Sequence, residues 1–250
     1  MRMNTRFLSL LLAAAGCVNA VRSNARPPTG WKIVAPPVDE STVATCMTST
    51  RRPYRVALSR DSSILIISPD SALLRLADTL RVDGGRLIAF DGGEFGGRIS
   101  WQPDSGAEQR VASVNSRALI QIRDTVWALA GLAHLTSNKG ELIRLERVAN
   151  GWQIGETRNL GAAPQAIVRL PSDTLLVLAV GRLVLIPPSH RPQILHENRM
   201  WIYTHPSNLV RDRGGAIYLG MQAGVVRLSP KEEAYKEDWL VPNGCDTVHP

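Results

Sequence analysis

Two carboxylates lie in an unusually glycine-rich stretch, residues 91–97, whose sequence is DGGEFGG. Four glycines within seven residues let the backbone adopt positive φ and approach a ligand closely. Asp91 and Glu94 could therefore bind a carbohydrate or a hard cation such as calcium, and paired carboxylates also flank the sugar bond in glycosidases. A wide hairpin loop with solvated acids would explain the same residues, so Asp91 and Glu94 are candidates for ligand binding only.

An imidazole supplies the third candidate. His134 follows the predicted strand 125–129, and the end of a strand is a common position for a side chain that lines a pocket. A histidine that is hydrogen-bonded within a turn is the alternative. The other histidines match no zinc-ligand spacing, and no G-x-S-x-G, phosphate-binding glycine motif or CxxC pattern occurs. We therefore predict no catalytic residue, no metal and no cofactor, and we favour a binding protein over an enzyme.

The charge of the chain does not favour nucleic acid as a partner. Lys and Arg number 29 against 22 Asp and Glu, which gives a formal net charge of +7. The excess is thinly spread, and Arg51-Arg52 is the only adjacent basic pair. Many arginines fall at polar positions of predicted strands, which is typical of a solvated sheet face and not of a phosphate-binding surface.

Residues 1–20 have the plan of an export signal. Arg2 and Arg6 precede an apolar run at residues 7–15, which is too short for a bilayer span of about 20 residues. One prediction is cleavage after Ala20. The alternative, which we favour, is that residues 14–17 (AAGC) resemble the bacterial lipobox, which implies that Cys17 becomes the lipidated first residue of the mature protein.

Three cysteines are an odd number for an exported chain. Lipidation or removal of Cys17 would leave Cys46 and Cys245, which should pair as a disulfide in an oxidising compartment. Such a bridge would join the two ends of the folded part and contribute about 5 kcal/mol at most in the chain-entropy model. Residues 21–49, with two Pro-Pro pairs, are predicted to form an extended tether that carries the first clasp segment.

Short apolar runs separated by turn residues recur along the rest of the chain. This pattern predicts an all-β protein built from many hairpins, with helical turns only at residues 230–239 and in part of the segment 21–49. The predicted strands are 55–58, 64–67, 72–76, 86–90, 97–101, 118–122, 125–129, 141–145, 166–170, 174–178, 183–186, 208–210, 216–219 and 225–228.

The strands group into similar units, and the later units recur at the period of a propeller blade. The last two spacings are 48 and 42 residues. We therefore predict a single β-propeller of about five blades over residues 50–250, and a β-sandwich is the alternative fold. The predicted units begin near Arg55, Arg86, Arg117, Gln165 and Ser207.

One unit carries a more specific likeness. Residues 212–228 (DRGGAIYLGMQAGVVRL) resemble the propeller repeat in the extracytoplasmic sensor regions of bacterial two-component regulators. The resemblance implies a propeller fold. The residues that match the repeat are Asp212, Gly215, Ile217, Gly220, Gly224 and Arg227.

The sequence as a whole predicts an exported, membrane-anchored and non-catalytic propeller. We expect it to act as a monomeric binding or scaffold module for an envelope protein or glycan. It would lie on the periplasmic face of a bacterial membrane or, without the anchor, be soluble in the periplasm. A propeller enzyme that acts on glycans or lactones, or the ligand-sensing half of a signalling pair, are the alternatives.

Overall fold

A computed structural model describes residues 27–44, 46, 53–59, 64–67, 77–188, 191–232 and 234–245. The predicted signal at residues 1–20 and the lipidation candidate Cys17 lie outside these residues. Within them, no helix is long and apolar enough to cross a membrane. The described chain is dominated by antiparallel strands, as the sequence predicts.

The chain begins with a strand, β1 (Trp31–Val34), and a short helix, α1 (Glu40–Ala44). The strands form five antiparallel sheets, which we call blades 1 to 5 in chain order. Blade 1 contains β2 (Arg55–Leu58) and β3 (Ile64–Ile67); blade 2 contains β4 (Ala77–Val82), β5 (Gly85–Phe90), β6 (Arg98–Pro103) and β7 (Gln109–Ala112); blade 3 contains β8 (Ser116–Ile122), β9 (Thr125–His134), β10 (Ser137–Val148) and β11 (Gly151–Asn159). Blade 4 contains β12 (Pro164–Arg169), β13 (Leu175–Ala179), β14 (Arg182–Ile186) and β15 (Gln193–Glu197); blade 5 contains β16 (Asn208–Arg211), β17 (Ile217–Met221), β18 (Gly224–Lys231) and β19 (Ala234–Pro242), with β1 added at its edge.

The blades are arranged radially. The first strand of each blade is the inner one, since β8 contacts β4 and β12, while β16 contacts β12 and β2. The described residues thus form a β-propeller with five sheets, in agreement with the prediction of about five blades. We call the end where the inner strands begin the upper face. The hairpins between second and third strands lie there too, because successive strands of a blade are antiparallel.

The second strands of the blades form the core. Every residue of β13 and of β17 is buried, so neither strand has a solvent face. The faces of each strand pack against different neighbouring blades; Val177, for example, belongs to one apolar cluster and Leu178 to another. Burying one such Leu or Val side chain contributes about 1.5–3 kcal/mol, so the packing between blades stabilises the ring.

The ring closes between blade 5 and blade 1. Asn208 on β16 accepts a hydrogen bond from the Val56 amide at 3.0 Å and donates one to the Val56 carbonyl at 2.7 Å. Cys46 and Cys245 form the predicted disulfide, with their Cα atoms 5.1 Å apart. The chain segments before blade 1 and after blade 5 are therefore covalently joined.

Two sequence predictions are wrong in this region. The extended tether predicted for residues 21–49 does not hold at β1, which pairs with β19 from Trp31 opposite Pro242 to Val34 opposite Trp239. The edge of β19 offers unpaired backbone groups, and β1 satisfies them. The helical turn predicted at residues 230–239 is instead the hairpin between β18 and β19.

A buried carboxylate on β19 links blade 5 to blade 4. Glu237 accepts hydrogen bonds from Trp239 Nε1 at 2.6 Å, Asn198 Nδ2 at 2.9 Å and Trp201 Nε1 at 3.2 Å, and it pairs with His196 Nε2 at 2.6 Å. Burial alone would raise the pKa of Glu237, but these donors outweigh it and hold the pKa below its ordinary value of 4.5. The ionised carboxylate is therefore the form that stabilises this interface.

We predict that Glu237→Gln lowers the free energy of unfolding at pH 7 by about 2–3 kcal/mol, because the new amide N–H groups face other donors. Since the carboxyl pKa is depressed in the folded protein, its stabilisation is complete above the unfolded pKa and is lost as the pH falls through the folded one. The difference between wild type and variant should therefore shrink below about pH 4.5. Urea denaturation measures both quantities.

Glu197→Gln is the matched control, since Glu197 is half-exposed and pairs only with Arg182 at 3.1 Å among the described residues. It should leave the urea midpoint almost unchanged. A midpoint for Glu237→Gln equal to that of wild type at pH 7 would contradict the role assigned to Glu237.

Candidate functional site

A polar depression of about 350 Å³ opens on the upper face over blades 2, 3 and 4. Blade 2 contributes the loop between β5 and β6, blade 3 contributes the start of β8 and the end of β9, and blade 4 contributes the start of β12. We call it the upper pocket. The polar and aromatic side chains that line it are Asp91, Glu94, Phe95, Arg117, His134 and Gln165.

The glycine-rich stretch forms one wall of the upper pocket. Gly93 and Gly96 have positive φ values of 59° and 86°, a backbone conformation that residues with a Cβ rarely adopt. Gly92 and Gly97 are needed for space, since a Cβ there would overlap the carbonyl oxygens of Gly96 and Phe90. All four glycines therefore have a local structural reason, and together they bring the backbone to the pocket.

Asn115, just before β8, holds this loop against blade 3. Its Nδ2 donates to the Gly93 carbonyl at 2.8 Å, and its Oδ1 accepts from the Gly92 amide at 3.2 Å. The Asp91 carboxylate also accepts from the Gly93 amide at 3.0 Å. The loop is thus fixed by side chains from two blades.

Arg117 connects three blades across the upper pocket. Its Nε lies 2.7 Å from Asp91 Oδ2 on blade 2, and its NH1 donates to Gln165 Oε1 on blade 4 at 2.8 Å. The Asp91 side chain is 11% exposed and that of Arg117 is 45% exposed, so the carboxylate is the buried base of the pair. The guanidinium is the part that a ligand can reach.

β-Bulges place both Arg117 and Gln165. The pairing of β8 with β9 skips Arg117, and the pairing of β12 with β13 skips Gln165. A bulged residue lies outside the regular alternation of strand side chains, and bulges often redirect a side chain near a functional site. Two neighbouring inner strands therefore carry the same irregularity, and the two irregular residues meet.

Glu94 and His134 form a second polar pair at the mouth of the pocket. Glu94 Oε2 lies 2.8 Å from His134 Nε2, and both side chains are partly exposed. Phe95 and Leu135 follow them in the chain and are 91% and 92% exposed, so large apolar groups border the pair. Leu135 also has a φ of 52°, a strained value for a leucine.

The structure brings the three predicted residues, Asp91, Glu94 and His134, into this one pocket. The sequence interpretation missed Arg117, Gln165 and Asn115 as site residues. The signal for the first two was present, because the repeat units were predicted to begin at Arg117 and Gln165, which makes these residues equivalent positions. Among the described residues, no three or more His, Cys, Asp or Glu side chains come together as a metal site.

The geometry of the upper pocket suits hydroxyl groups. Asp91 and Glu94 offer acceptors, Arg117 offers donors, and Gln165 and His134 can do either. Asp91 is neutralised by the Arg117 guanidinium, whereas Glu94 is paired with an imidazole that carries a charge only when it is protonated.

Neither a protein-family model nor a curated protein matches this chain. Solved structures with a similar backbone include virginiamycin B lyase from Staphylococcus aureus, at 13% identity and a TM-score of 0.42, over 83% of this chain and 73% of that one. Another is the extracellular domain of a protein assigned to the hybrid two component systems of B. thetaiotaomicron, at 11% identity and a TM-score of 0.42. This similarity extends over 71% of this chain and 24% of the other.

A protein from Lactobacillus plantarum is similar over 76% of this chain and 62% of that one, at 14% identity and a TM-score of 0.44. With TM-scores below 0.5, we infer no activity or ligand from any of these likenesses. The fold follows from the strand pairing, and the site from its own geometry.

We predict that Asn115→Ala loosens the loop 91–97 without unfolding the propeller. The Gly92 amide loses its acceptor, so its hydrogen exchange should accelerate at least about tenfold, as expected for the loss of about 1.4 kcal/mol of local protection. Exchange at the buried amides of β17 should stay unchanged. Hydrogen exchange followed by mass spectrometry measures both regions.

Asn243→Ala is the control, since Asn243 is an exposed asparagine near the end of blade 5. It should alter exchange in neither region. Unchanged exchange of the loop in Asn115→Ala would show that the glycines and Asp91 hold the loop without the asparagine.

Proposed function

We propose that this protein is an exported, non-catalytic propeller of the bacterial envelope that binds a carbohydrate in the upper pocket. The observation that carries the proposal is the convergence of Asp91, Arg117 and Gln165 from three blades on one exposed depression. Side chains that can donate and accept in fixed directions select hydroxyl-bearing ligands, because each unmatched polar group costs free energy on binding.

Phe95 supports a sugar ring as the ligand. Its side chain is 91% exposed at the pocket mouth, so nearly the whole phenyl group is in contact with water and accessible to a ligand. The apolar face of a sugar ring can stack on such a phenyl group while its hydroxyls reach the polar pairs below. The Glu94 carboxylate at the mouth opposes an anionic sugar, so an uncharged sugar is favoured.

Export is supported by the disulfide between Cys46 and Cys245, since structural disulfides persist in oxidising compartments. The signal-like residues 1–20 agree with this location. We extend the proposal to a lipid anchor at Cys17, a monomeric state and a position on the periplasmic face of a membrane. The envelope then supplies glycans as ligands, and it could also supply a protein partner.

A hydrolase is the second candidate function, and the Glu94–His134 pair favours it. An imidazole that is oriented by a carboxylate is the usual arrangement of a general base, and this one borders the pocket. A hydrolase would cleave the bound glycan or lactone and release a product, whereas a binding protein would release the same ligand unchanged.

We predict that the protein binds at least one of two neutral oligosaccharides, chitotetraose or maltotetraose, with a Kd at or below about 1 mM. Phe95→Ser should weaken binding about fivefold through lost stacking. Arg117→Gln should weaken binding about tenfold, because the variant lacks a charge-assisted donor and leaves the Asp91 carboxylate without its ion-pair partner. Isothermal titration calorimetry gives the Kd, and chromatography of the recovered sugar detects any hydrolysis.

Arg110→Gln is the control, since Arg110 lies on the outer strand β7, exposed and away from the pocket. It should leave the Kd unchanged. Failure of both sugars to bind wild type, or equal affinity of wild type and Phe95→Ser, would contradict the carbohydrate proposal. Cleavage that is lost in His134→Ala would favour the hydrolase instead.

For the location, we predict that the protein in the membrane fraction begins at a lipid-modified Cys17 and gains two hydrogens in mass on reduction of its disulfide. Cys17→Ser should move the protein to the soluble fraction while keeping the gain on reduction. Intact-mass spectrometry of both fractions tests this. A wild-type product that is soluble and begins at Val21 would overturn the anchor but not the export.

A further inference from the structure

A second cleft, of about 290 Å³, lies between blades 3 and 4 on the lower face, opposite the upper pocket. The turn between β8 and β9, the loop between β12 and β13, and the end of β14 surround it. We call it the lower cleft. It shares no residue with the upper pocket, so its occupant is independent of the proposed carbohydrate ligand.

The floor of the lower cleft is apolar. Trp127, Leu175 and Ile186 are each less than 10% exposed and belong to the cluster between the two blades. Pro187 continues the wall at the end of β14. Where this seam reaches the lower face, it stays open, and the opening has the size of a small ligand with a flat apolar body.

One side of the cleft is held in place by Arg158. Its guanidinium lies 4.7 Å from the centre of the Trp127 ring, and its Nε donates to Glu156 at 2.7 Å. The cation of Arg158 is therefore already neutralised, and it serves as part of the wall.

The rim carries a cation that is only partly neutralised. Arg123 Nε lies 2.6 Å from Asp173 Oδ2, while Asp173 Oδ1 accepts hydrogen bonds from Arg169. One carboxylate thus serves two guanidinium groups, so these three side chains carry one positive charge, which Asp124 on the neighbouring position offsets from outside the ion pairs. The hydrogen bonds from Arg169, with the charges of both arginines, hold the pKa of Asp173 below its ordinary value, so the carboxylate stays ionised.

The terminal nitrogens of Arg123 are available to a ligand. The Arg123 side chain is 79% exposed, and Asp173 is its only ion-pair partner among the described residues. Asp173 holds Nε and so restricts the orientation of this guanidinium, which lines the cleft. Asp124, on the same turn, is the carboxylate that opposes an incoming anion.

We propose that the lower cleft binds a small amphipathic anion, whose flat apolar body lies against Ile122, Pro187 and the stacked Arg158–Trp127 pair and whose carboxylate, phosphate or sulfonate contacts Arg123. The apolar body gains affinity by leaving water, and the anion gains a charge-assisted hydrogen bond from a guanidinium that is already oriented. Both parts of the ligand are needed for full affinity.

Two fluorescent probes of nearly the same shape test the proposal: anilinonaphthalene sulfonate, which is an anion, and N-phenylnaphthylamine, which is uncharged. Their fluorescence rises in an apolar site, so titration into the folded protein gives both dissociation constants. We expect wild type to bind the sulfonate about tenfold more tightly than the uncharged probe, the effect of one charge-assisted hydrogen bond.

Four variants separate the two parts of the site. Arg123→Gln should abolish the preference for the sulfonate and leave the uncharged probe unaffected. Thr125→Tyr, which fills the cleft from the start of β9, should weaken both probes at least about tenfold. Asp124→Asn should lower the dissociation constant of the sulfonate about twofold, because it removes the carboxylate that opposes the anion. Arg110→Gln, which changes an exposed arginine on another blade, should change neither constant.

Equal sulfonate affinity in wild type and Arg123→Gln would overturn the assignment of the anion. Probe binding that persists unchanged in Thr125→Tyr would place the probes elsewhere on the surface and overturn the cleft itself. Thermal unfolding of each variant shows whether it is folded. Because the Arg123 side chain is mostly exposed, Arg123→Gln is expected to fold, and it tests the proposal even if Thr125→Tyr does not fold.

Discussion

Closure of the ring is the constraint on which the rest of this structure depends. A strand such as β17, buried on both faces, can exist only where a neighbouring blade covers each face. Blades 2, 3 and 4 each follow one blade and precede another in the chain, so the order of the chain itself gives them two neighbours. Blades 5 and 1 stand at opposite ends of the chain and need other contacts to join them. Asn208 bonds to the backbone of Val56 as a paired strand would, and Cys46 and Cys245 then connect the two ends.

A closed ring allows local irregularity at its upper end. The bulges at Arg117 and Gln165 interrupt the regular strand pairing at the start of β8 and of β12. The rest of each strand stays packed between neighbouring blades. The two side chains then meet Asp91 from a third blade at fixed distances. The upper pocket therefore depends on the spacing of blades 2, 3 and 4.

The sequence predicts those parts of the fold that have a strong apolar pattern. The fully apolar strands β13 and β17 were recognisable, whereas the outer strands β15 and β11 were not, because most of their residues are exposed and polar. The same reason explains the error in blade 2. Its inner strand β4 alternates exposed and partly buried residues, so the unit was predicted to begin at Arg86, which lies in the second strand.

The candidate site was predictable only where its signal is local. Asp91 and Glu94 stand out because the glycines beside them are unusual, and His134 because it ends a strand. The role of Arg117 depends on a bulge and on partners in two other blades, one of them 48 residues away, and no short stretch of sequence encodes that. Aligning the repeat units would have paired Arg117 with Gln165, but not with Asp91.

The arginines show most clearly what the sequence alone left out. They were predicted to lie on a solvated sheet face, yet several fill the seams between blades or pair there. Arg147 lies over the rings of Trp101 and Trp152 between blades 2 and 3, and Arg227, 12% exposed, bonds to Asp238 within blade 5. An arginine suits such a seam because its stem packs as an apolar group while its planar head stacks or pairs. Most of the described arginines are nonetheless exposed, in agreement with that prediction, and two of them line cavities: Arg117 lines the upper pocket and Arg123 the lower cleft.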